Sequence, residues 1–151
     1  MSPQQIAEAV RDAMFANDRA SQALGMEILA VGPGSATISM RVREDMLNGF
    51  AICHGGLITT LADSAFAFAC NAYNEMTVAN GISVDIVAPG RLGDVLTAQA
   101  SEVSRAGRTG VYDVSVRNQR DELIAVFRGK SYQLKGRSVV PGLASPQETS
   151  A

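Results

Sequence analysis

A run of apolar and small residues from Leu57 to Ala72 limits most strongly what this chain can fold into. The run has the length of about four helical turns, and Asp63 is its only charged side chain. It is too short to cross a membrane and contains several hydroxyl side chains, so the sequence predicts a buried core helix. A helix that is apolar on most sides needs protein on most sides, and a curved antiparallel sheet wrapped around it would provide that cover.

The segments around this helix predict such a sheet. Apolar residues alternate with polar ones, with the period of a β-strand, at 37–42, 82–86, 95–103, 111–117 and 123–134. The last three segments are joined by short turns with no helix between them, which predicts an antiparallel meander. The chain therefore reads as α+β, with one or two strands before the helix and four after it.

The chain divides into three predicted parts. Residues 1–25 form a helical segment, because Ser2 and Gln5 have the spacing of a capping box and Pro3 suits the first helical position. Residues 26–135 form the α+β domain. Residues 136–151, which contain prolines and several small polar residues, are expected to be disordered.

Composition excludes several classes of function. The net charge is −2 and the 13 basic residues form no run longer than two, which argues against nucleic-acid binding. Cys53 and Cys70 lack the spacing of a zinc or disulfide motif, and His54 is the only histidine, so we expect no metal site. The first residues lack the pattern of a signal peptide, so we expect a cytoplasmic protein that does not span a membrane.

Asp63 is the first candidate for chemistry. A carboxylate is costly to bury without a partner, and no Lys or Arg lies nearby in sequence. Burial would also tune its pKa toward the work of a general base or nucleophile. The alternative is an acid on the one wet stripe of a half-buried helix, and the sequence leaves both interpretations open.

The start of the same helix is the second candidate. Gly55 follows His54 directly, and the first N–H groups of a helix are unpaired donors that can bind a carbonyl oxygen becoming negative. A plain glycine-rich loop is the alternative. Gly55 and Asp63 are about 12 Å apart along one helix, so they could act on one carbonyl carbon only from two different subunits. This hypothesis predicts a homodimer with shared sites.

Together these residues resemble the hotdog-fold acyl-CoA thioesterases, and most closely the bacterial phenylacetate-degradation subfamily. The resemblance covers residues 17–135 and is carried by Met46-Leu47-Asn48-Gly49, Cys53-His54-Gly55-Gly56, Leu61-Ala62-Asp63-Ser64-Ala65-Phe66-Ala67, Gly93-Asp94, Gly107-Arg108-Thr109-Gly110-Val111-Tyr112-Asp113-Val114 and Phe127-Arg128-Gly129-Lys130-Ser131. It implies the hotdog fold: a curved antiparallel sheet around one long central helix, with an N-terminal helix.

The resemblance also implies roles for five residues. Asp63 would be the general base or nucleophile, and the Gly55 amide of the facing subunit would polarise the thioester carbonyl. His54 and Asn48 would orient the loop or the substrate. Ser83 matches a position where some relatives hold the attacking water with a hydroxyl. His54 packing under the helix, and Ser83 as a solvent-facing strand residue, are the alternatives.

Five further residues are candidates for binding coenzyme A. Arg91, Arg108 and Lys130 could pair with its phosphates, although each could equally be a surface charge. Thr109 and Gly110 belong to the matching stretch after Arg108. Coenzyme A would enter as part of the substrate, so no separate cofactor is expected. The resemblance further implies that two dimers pair into a homotetramer.

The predicted function is hydrolysis of acyl-CoA thioesters of the aryl-acetyl type, such as phenylacetyl-CoA or hydroxyphenylacetyl-CoA. One alternative is a non-catalytic acyl-CoA-binding protein on the same scaffold. The other is a hotdog dehydratase, which would need His54 and Asp63 poised together across subunits.

Overall fold

A computed structural model describes residues 1–143. Three α-helices and six β-strands follow one another in the order α1 (Pro3–Asn17), α2 (Arg19–Ala23), β1 (Glu27–Gly32), β2 (Ser35–Arg41), α3 (Gly55–Asn71), β3 (Thr77–Ile86), β4 (Val95–Ala106), β5 (Thr109–Arg117) and β6 (Leu123–Gln133). A single 3₁₀ turn, Glu44–Met46, precedes the loop that leads into α3.

All six strands form one antiparallel sheet in the order β1-β2-β4-β5-β6-β3. The long apolar helix α3 packs against this sheet, and most of its side chains are buried. The fold confirms the predicted hotdog arrangement, including the helix at the N-terminus. Because α3 starts near the end of β3 and finishes near its beginning, the two elements run in opposite directions.

The boundaries differ from the predicted ones where the strands are irregular. β3 begins at Thr77, five residues earlier than the alternation indicates, because a bulge between Ala79 and Gly81 interrupts the two-residue period. β4 similarly continues past a bulge between Glu102 and Ser104. α2 has only five residues and follows Asp18, whose side chain caps it, and so short a helix shows no period in the sequence.

The sheet approaches α3 most closely where β6 lacks a side chain. The ring of Phe66 lies on the backbone of Gly129, so that a Cβ there would fall 2.7 Å from ring atoms. Tyr112 and Phe127 flank the same ring, with centroid distances of 5.6 and 5.9 Å. This aromatic group fixes α3 in rotation about its axis, and so determines which of its residues face away from the sheet.

The N-terminal segment is joined to the middle of α3. The Ser21 hydroxyl donates to Asp18 and shares a buried 2.9 Å hydrogen bond with the Ser64 hydroxyl. One turn further along, Phe68 contacts Phe15 of α1. These contacts cover one flank of α3 and leave a different flank open beside β3.

The chain after β6 lies partly outside the described residues, as 144–151 are not described. Within 136–143, the buried side chain of Asn74 donates to the carbonyls of Val140 and Leu143 and accepts from the Val140 amide. Among residues 1–143, no helix is long and apolar enough to span a membrane.

Candidate active site

The loop before α3 is held in one shape by Asn48. The side-chain oxygen of Asn48 accepts hydrogen bonds from the amides of Phe50 and Ile52, and Leu47 forms a β-bridge with Cys53. Ala51 adopts a φ of 59°, in the left-handed region that closes this tight turn. The Asn48 NH₂ group has no partner among the described residues, so it is free to donate to a ligand.

His54 caps α3 and leaves the amide of Gly55 available. The Nδ1 atom of His54 accepts a hydrogen bond from the Gly56 amide at 3.0 Å, which is the bond by which a side chain caps a helix. Within residues 1–143 the Gly55 N–H donates to no acceptor. Because it lies in the first turn of α3, it adds the helix dipole to its own hydrogen-bonding capacity.

The tip of a flexible side chain on a neighbouring strand lies close to Gly55. The side chain of Ile86, at the end of β3, packs so closely that a Cβ on Gly55 would fall 2.8 Å from it. The alternation of apolar and polar residues over 82–86 is enough to predict that Ile86 lies on the inner face of the sheet. Its contact with the helix start, however, depends on tertiary packing.

Asp63 lies on the open flank of α3. It shares a stripe with Gly56, Thr60 and Ala67, the part of the helix that the sheet leaves uncovered in a single chain. Its carboxylate forms no ion pair or hydrogen bond with any described residue. Desolvation by the apolar surroundings raises its pKa above the ordinary 3.8. The acid is therefore accessible to solvent, and its charged form is destabilised by its apolar surroundings.

The two candidate groups do not converge within one chain. Gly55 and Asp63 are eight residues apart on the same straight helix, which is about 12 Å. A carbonyl group bound to the Gly55 amide would therefore lie beyond the reach of the same chain's Asp63. His54 and Asp63 are farther apart still.

Ser83 lies on the opposite face of the sheet from α3. It pairs with Arg128 on β6, and both side chains point away from the core. There they line an open concavity of about 510 Å³ with polar residues of β3, β4 and β5. A single chain thus separates Ser83 from Asp63 by the thickness of the sheet.

The candidate CoA-binding residues fall into two groups at opposite ends of the sheet. Arg91 follows β3, near the start of α3. The other group consists of Arg108, Thr109 and Gly110 at the far end, about 30 Å away along the ten residues of β3, together with Lys130, which lies on β6 opposite Gly81, about halfway along that strand. Within residues 1–143, no cluster of His, Cys, Asp and Glu has the arrangement of a metal site.

Comparisons with known proteins identify relatives of the whole fold. The thioesterase superfamily matches residues 50–125. The acyl-coenzyme A thioesterase PaaI of Escherichia coli is 44% identical over 124 residues, which is 82% of this chain and 89% of the relative.

Solved structures agree with the sequence comparison. The E. coli PaaI protein from the phenylacetic acid degradation operon superposes with a TM-score of 0.88 at 41% identity, covering 90% of this chain and 99% of its own. A hypothetical thioesterase of Streptococcus pneumoniae, solved with coenzyme A, gives a TM-score of 0.72 at 26% identity, covering 75% and 91%.

The capping role of His54 can be tested by stability. His54→Ala should lower the free energy of unfolding by about 1 kcal/mol, because the Gly56 amide loses its acceptor. His54→Asn should lower the free energy of unfolding much less, because Asn is a strong helix cap. Urea denaturation measures both variants, and amide exchange at Gly56 should be faster in His54→Ala alone. Equal stability losses in the two variants would show that His54 acts through packing and not through its cap.

The raised pKa of Asp63 predicts how stability depends on pH. The folded protein holds the Asp63 proton more tightly than the unfolded chain does, so ionisation costs stability as the pH rises from 3.8 through the raised folded value. Asp63→Asn should therefore be more stable than the wild type at neutral pH. The difference should shrink below pH 3.8, where the acid is protonated in both states. Urea midpoints measured across pH check this, and a variant less stable at neutral pH would contradict it.

Proposed function

The chain belongs to the thioesterase superfamily, and on that premise we propose that it hydrolyses acyl-CoA thioesters to the free acid and CoA. One observation carries the proposal: among residues 1–143, the Gly55 amide at the start of α3 has no acceptor, and the Asp63 carboxylate two turns later has no partner. An electrophilic carbonyl needs a group that stabilises its oxygen and a group that delivers a nucleophile to its carbon.

Each group has a defined part in the reaction. The Gly55 N–H binds the thioester oxygen and stabilises the negative charge that develops there. Asp63 either attacks the carbonyl carbon itself or removes a proton from the attacking water. In the general-base route, the water oxygen forms the C–O bond as the C–S bond breaks, and the proton that Asp63 removed passes to the departing CoA thiolate. In the nucleophilic route, the Asp63 carboxylate forms the C–O bond as the C–S bond breaks, and a water molecule then hydrolyses the mixed anhydride, which frees the acid, restores the carboxylate and supplies the proton of the CoA thiol. The free NH₂ group of Asn48 is placed to hold the substrate near the amide, and His54 keeps the helix start in shape.

The acyl group we propose is of the aryl-acetyl type. The support is the similarity to the E. coli protein from the phenylacetic acid degradation operon. Phenylacetyl-CoA and hydroxyphenylacetyl-CoA are therefore the first substrates to test. The reaction needs only water and groups of the protein, because coenzyme A arrives with the substrate, and we place the enzyme in the cytoplasm.

The proposed reaction requires a homodimer, and β3 is the strand that could form it. β3 is an edge strand, and Val78, Ile82 and Ile86 along it are exposed by 44, 49 and 46% of their surfaces. An unpaired strand rich in apolar side chains favours pairing with the same strand of a second copy. A pairing of two such dimers into a tetramer rests on the family resemblance.

The helix and strand spacings fix where the two-fold axis of this dimer must lie. With Gly55 level with Ile86, the rises of about 1.5 Å per helical residue and about 3.3 Å per strand residue put Asp63 level with Ile82. The partner's Gly55 reaches that level if the strands pair antiparallel about an axis near Val84. This pairing sets Ile82 opposite the partner's Ile86.

The same dimer would bring the two groups of basic residues together. With the axis near Val84, the first half of one β3 would extend past Ile86 of the other β3, toward the loop that carries Arg91. Arg91 of one subunit would then approach the partner's Arg108 and the partner's Lys130, with Thr109 and Gly110 in the same turn region. Cations from both subunits would surround the phosphates of one coenzyme A.

The two alternative functions make different demands on the site. A dehydratase would need His54 and Asp63 on one substrate, yet His54 already uses Nδ1 to cap α3. A non-catalytic binding protein would bind acyl-CoA without needing the Asp63 carboxylate. The loss of turnover on removing that carboxylate is therefore the deciding observation.

Turnover of phenylacetyl-CoA, followed with a thiol-trapping reagent, tests the function directly. The wild type should release CoA, and Asp63→Asn should reduce kcat by about 10²–10⁴-fold or more because the base or nucleophile is lost. Binding of a non-hydrolysable phenylacetyl-CoA thioether should stay close to that of the wild type. Near-normal turnover by the folded variant would remove Asp63 from the mechanism, and binding without turnover by the wild type would favour the binding protein.

Mixed dimers test the shared site. Asp63→Asn keeps the amide donor, and Gly55→Pro keeps the carboxylate while removing the N–H, at a helix position that accepts proline. Each variant alone should be nearly inactive. Random mixing puts about half of the dimers in the mixed form with one intact site, so an equal co-refolded mixture should recover roughly a quarter of wild-type activity. No recovery, with mixed dimers confirmed by native mass spectrometry, would contradict the shared site.

A further inference from the structure

The most exposed large apolar side chain of the described residues lies beside the helix start. Phe50 has 87% of its surface exposed, and the next most exposed large apolar residue described is Met1, with 62%. Its backbone is not free to move the ring away, because its own amide donates to Asn48 at 2.9 Å and the neighbouring Ala51 closes a tight turn. A solvent-exposed aromatic ring on a backbone held in place can cover a flat ligand surface.

A second rigid loop, which carries Arg91, adjoins the loop of Phe50. The Cys53 amide donates to the Gly90 carbonyl at 2.7 Å, and a Cβ on Gly90 would lie 3.2 Å from the Cys53 side chain. The Arg91 amide is itself fixed by the buried Asp94 carboxylate at 2.9 Å. The Arg91 guanidinium is exposed and forms no ion pair with residues 1–143. An aromatic ring and an unpaired guanidinium are thus presented by two loops joined together.

We propose that Phe50 is a stacking platform for the adenine ring of coenzyme A, with Arg91 on the phosphates beside it. This inference rests on the proposed function, because it assigns a part of the same substrate. An aromatic face and an arginine are the two groups with which proteins hold a nucleobase and its phosphates. Phe50 and Gly55 are five positions apart in the sequence, so at most about 18 Å of chain joins them. The pantetheine arm of coenzyme A, which links the thioester to the nucleotide, can span that distance.

The alternative occupants of Phe50 are the acyl group and the partner subunit. In the proposed dimer, the acyl group lies between the Gly55 amide of one subunit and the partner's Asp63. The open flank of α3 and β3 surrounds that space. Phe50 lies on the other side of Gly55, on the loop that precedes the helix and points into solvent. The nucleotide is the part of coenzyme A that lies outside the acyl site, toward solvent. We therefore assign the Phe50 ring to the nucleotide.

Two substrates that differ only in the nucleotide test the assignment. Phenylacetyl-CoA and phenylacetyl-pantetheine carry the same thioester and acyl group, but only the first has adenine and its phosphates. Phe50→Ala should raise KM for phenylacetyl-CoA about tenfold, which is the size of one base-stacking contact, and should leave kcat unchanged. It should not change either constant for phenylacetyl-pantetheine. Arg91→Ala should show the same selectivity, and Phe50→Trp should restore KM.

The control variant is Leu29→Ala, which removes another exposed apolar side chain, on the distant edge strand β1. Equal effects of Phe50→Ala on both substrates would assign the ring to the acyl pocket and overturn the proposal. Dissociation of the Phe50→Ala dimer in native mass spectrometry would assign it to the subunit interface. If the wild type hydrolyses neither substrate, the proposed function fails, and calorimetry still tests Phe50 by comparing the affinities for coenzyme A and pantetheine.

Discussion

The contact between Phe66 and Gly129 determines the rest of the structure. A helix as apolar as α3 could turn about its axis with little change in burial if it packed against a featureless sheet. The ring of Phe66 fits only where β6 carries no side chain, and Tyr112 and Phe127 close around it. That fit gives the helix one orientation, with Asp63 on the uncovered flank and Ser64 turned toward α2.

This orientation exposes two groups on α3, the Gly55 amide and the Asp63 carboxylate, and the candidate site consists of them. The first turn of α3 offers an amide because helices leave their first N–H groups unpaired, and His54 satisfies the next amide but not that of Gly55. Burial among apolar surroundings raises the pKa of the Asp63 carboxyl, and no cation among residues 1–143 pairs with it. A partner for the Gly55 amide or the Asp63 carboxylate would stabilise the folded chain. The site gives up that stability and keeps both groups available for reaction.

The sequence alone predicts the elements with strong periodicity, and its motifs indicate the family. It does not predict features that depend on tertiary contacts. The apolar run predicted α3, and its composition predicted that a sheet must surround it. The early start of β3 was hidden by the bulge at Ala79, because an extra residue destroys the two-residue period. The bulge leaves the alternation over 82–86 intact, and with Val84 packed against the core that alternation is enough to predict that Ser83 faces away from it. Exposure of Phe50 is visible only once the fold is known, since an aromatic residue is ordinarily predicted to be buried.

Asn74 bears on where the folded unit can be cut. Its side chain, only 1% exposed, makes three hydrogen bonds to the backbone of Val140 and Leu143, in the way that a strand would pair with a neighbour. A shortened chain that ended at the last residue of β6 would leave this amide without its acceptors or its donor, at about 1–3 kcal/mol for each group left unsatisfied. Truncated versions for crystallisation or fusion should therefore retain the chain through Leu143, even though it follows the last strand by ten residues.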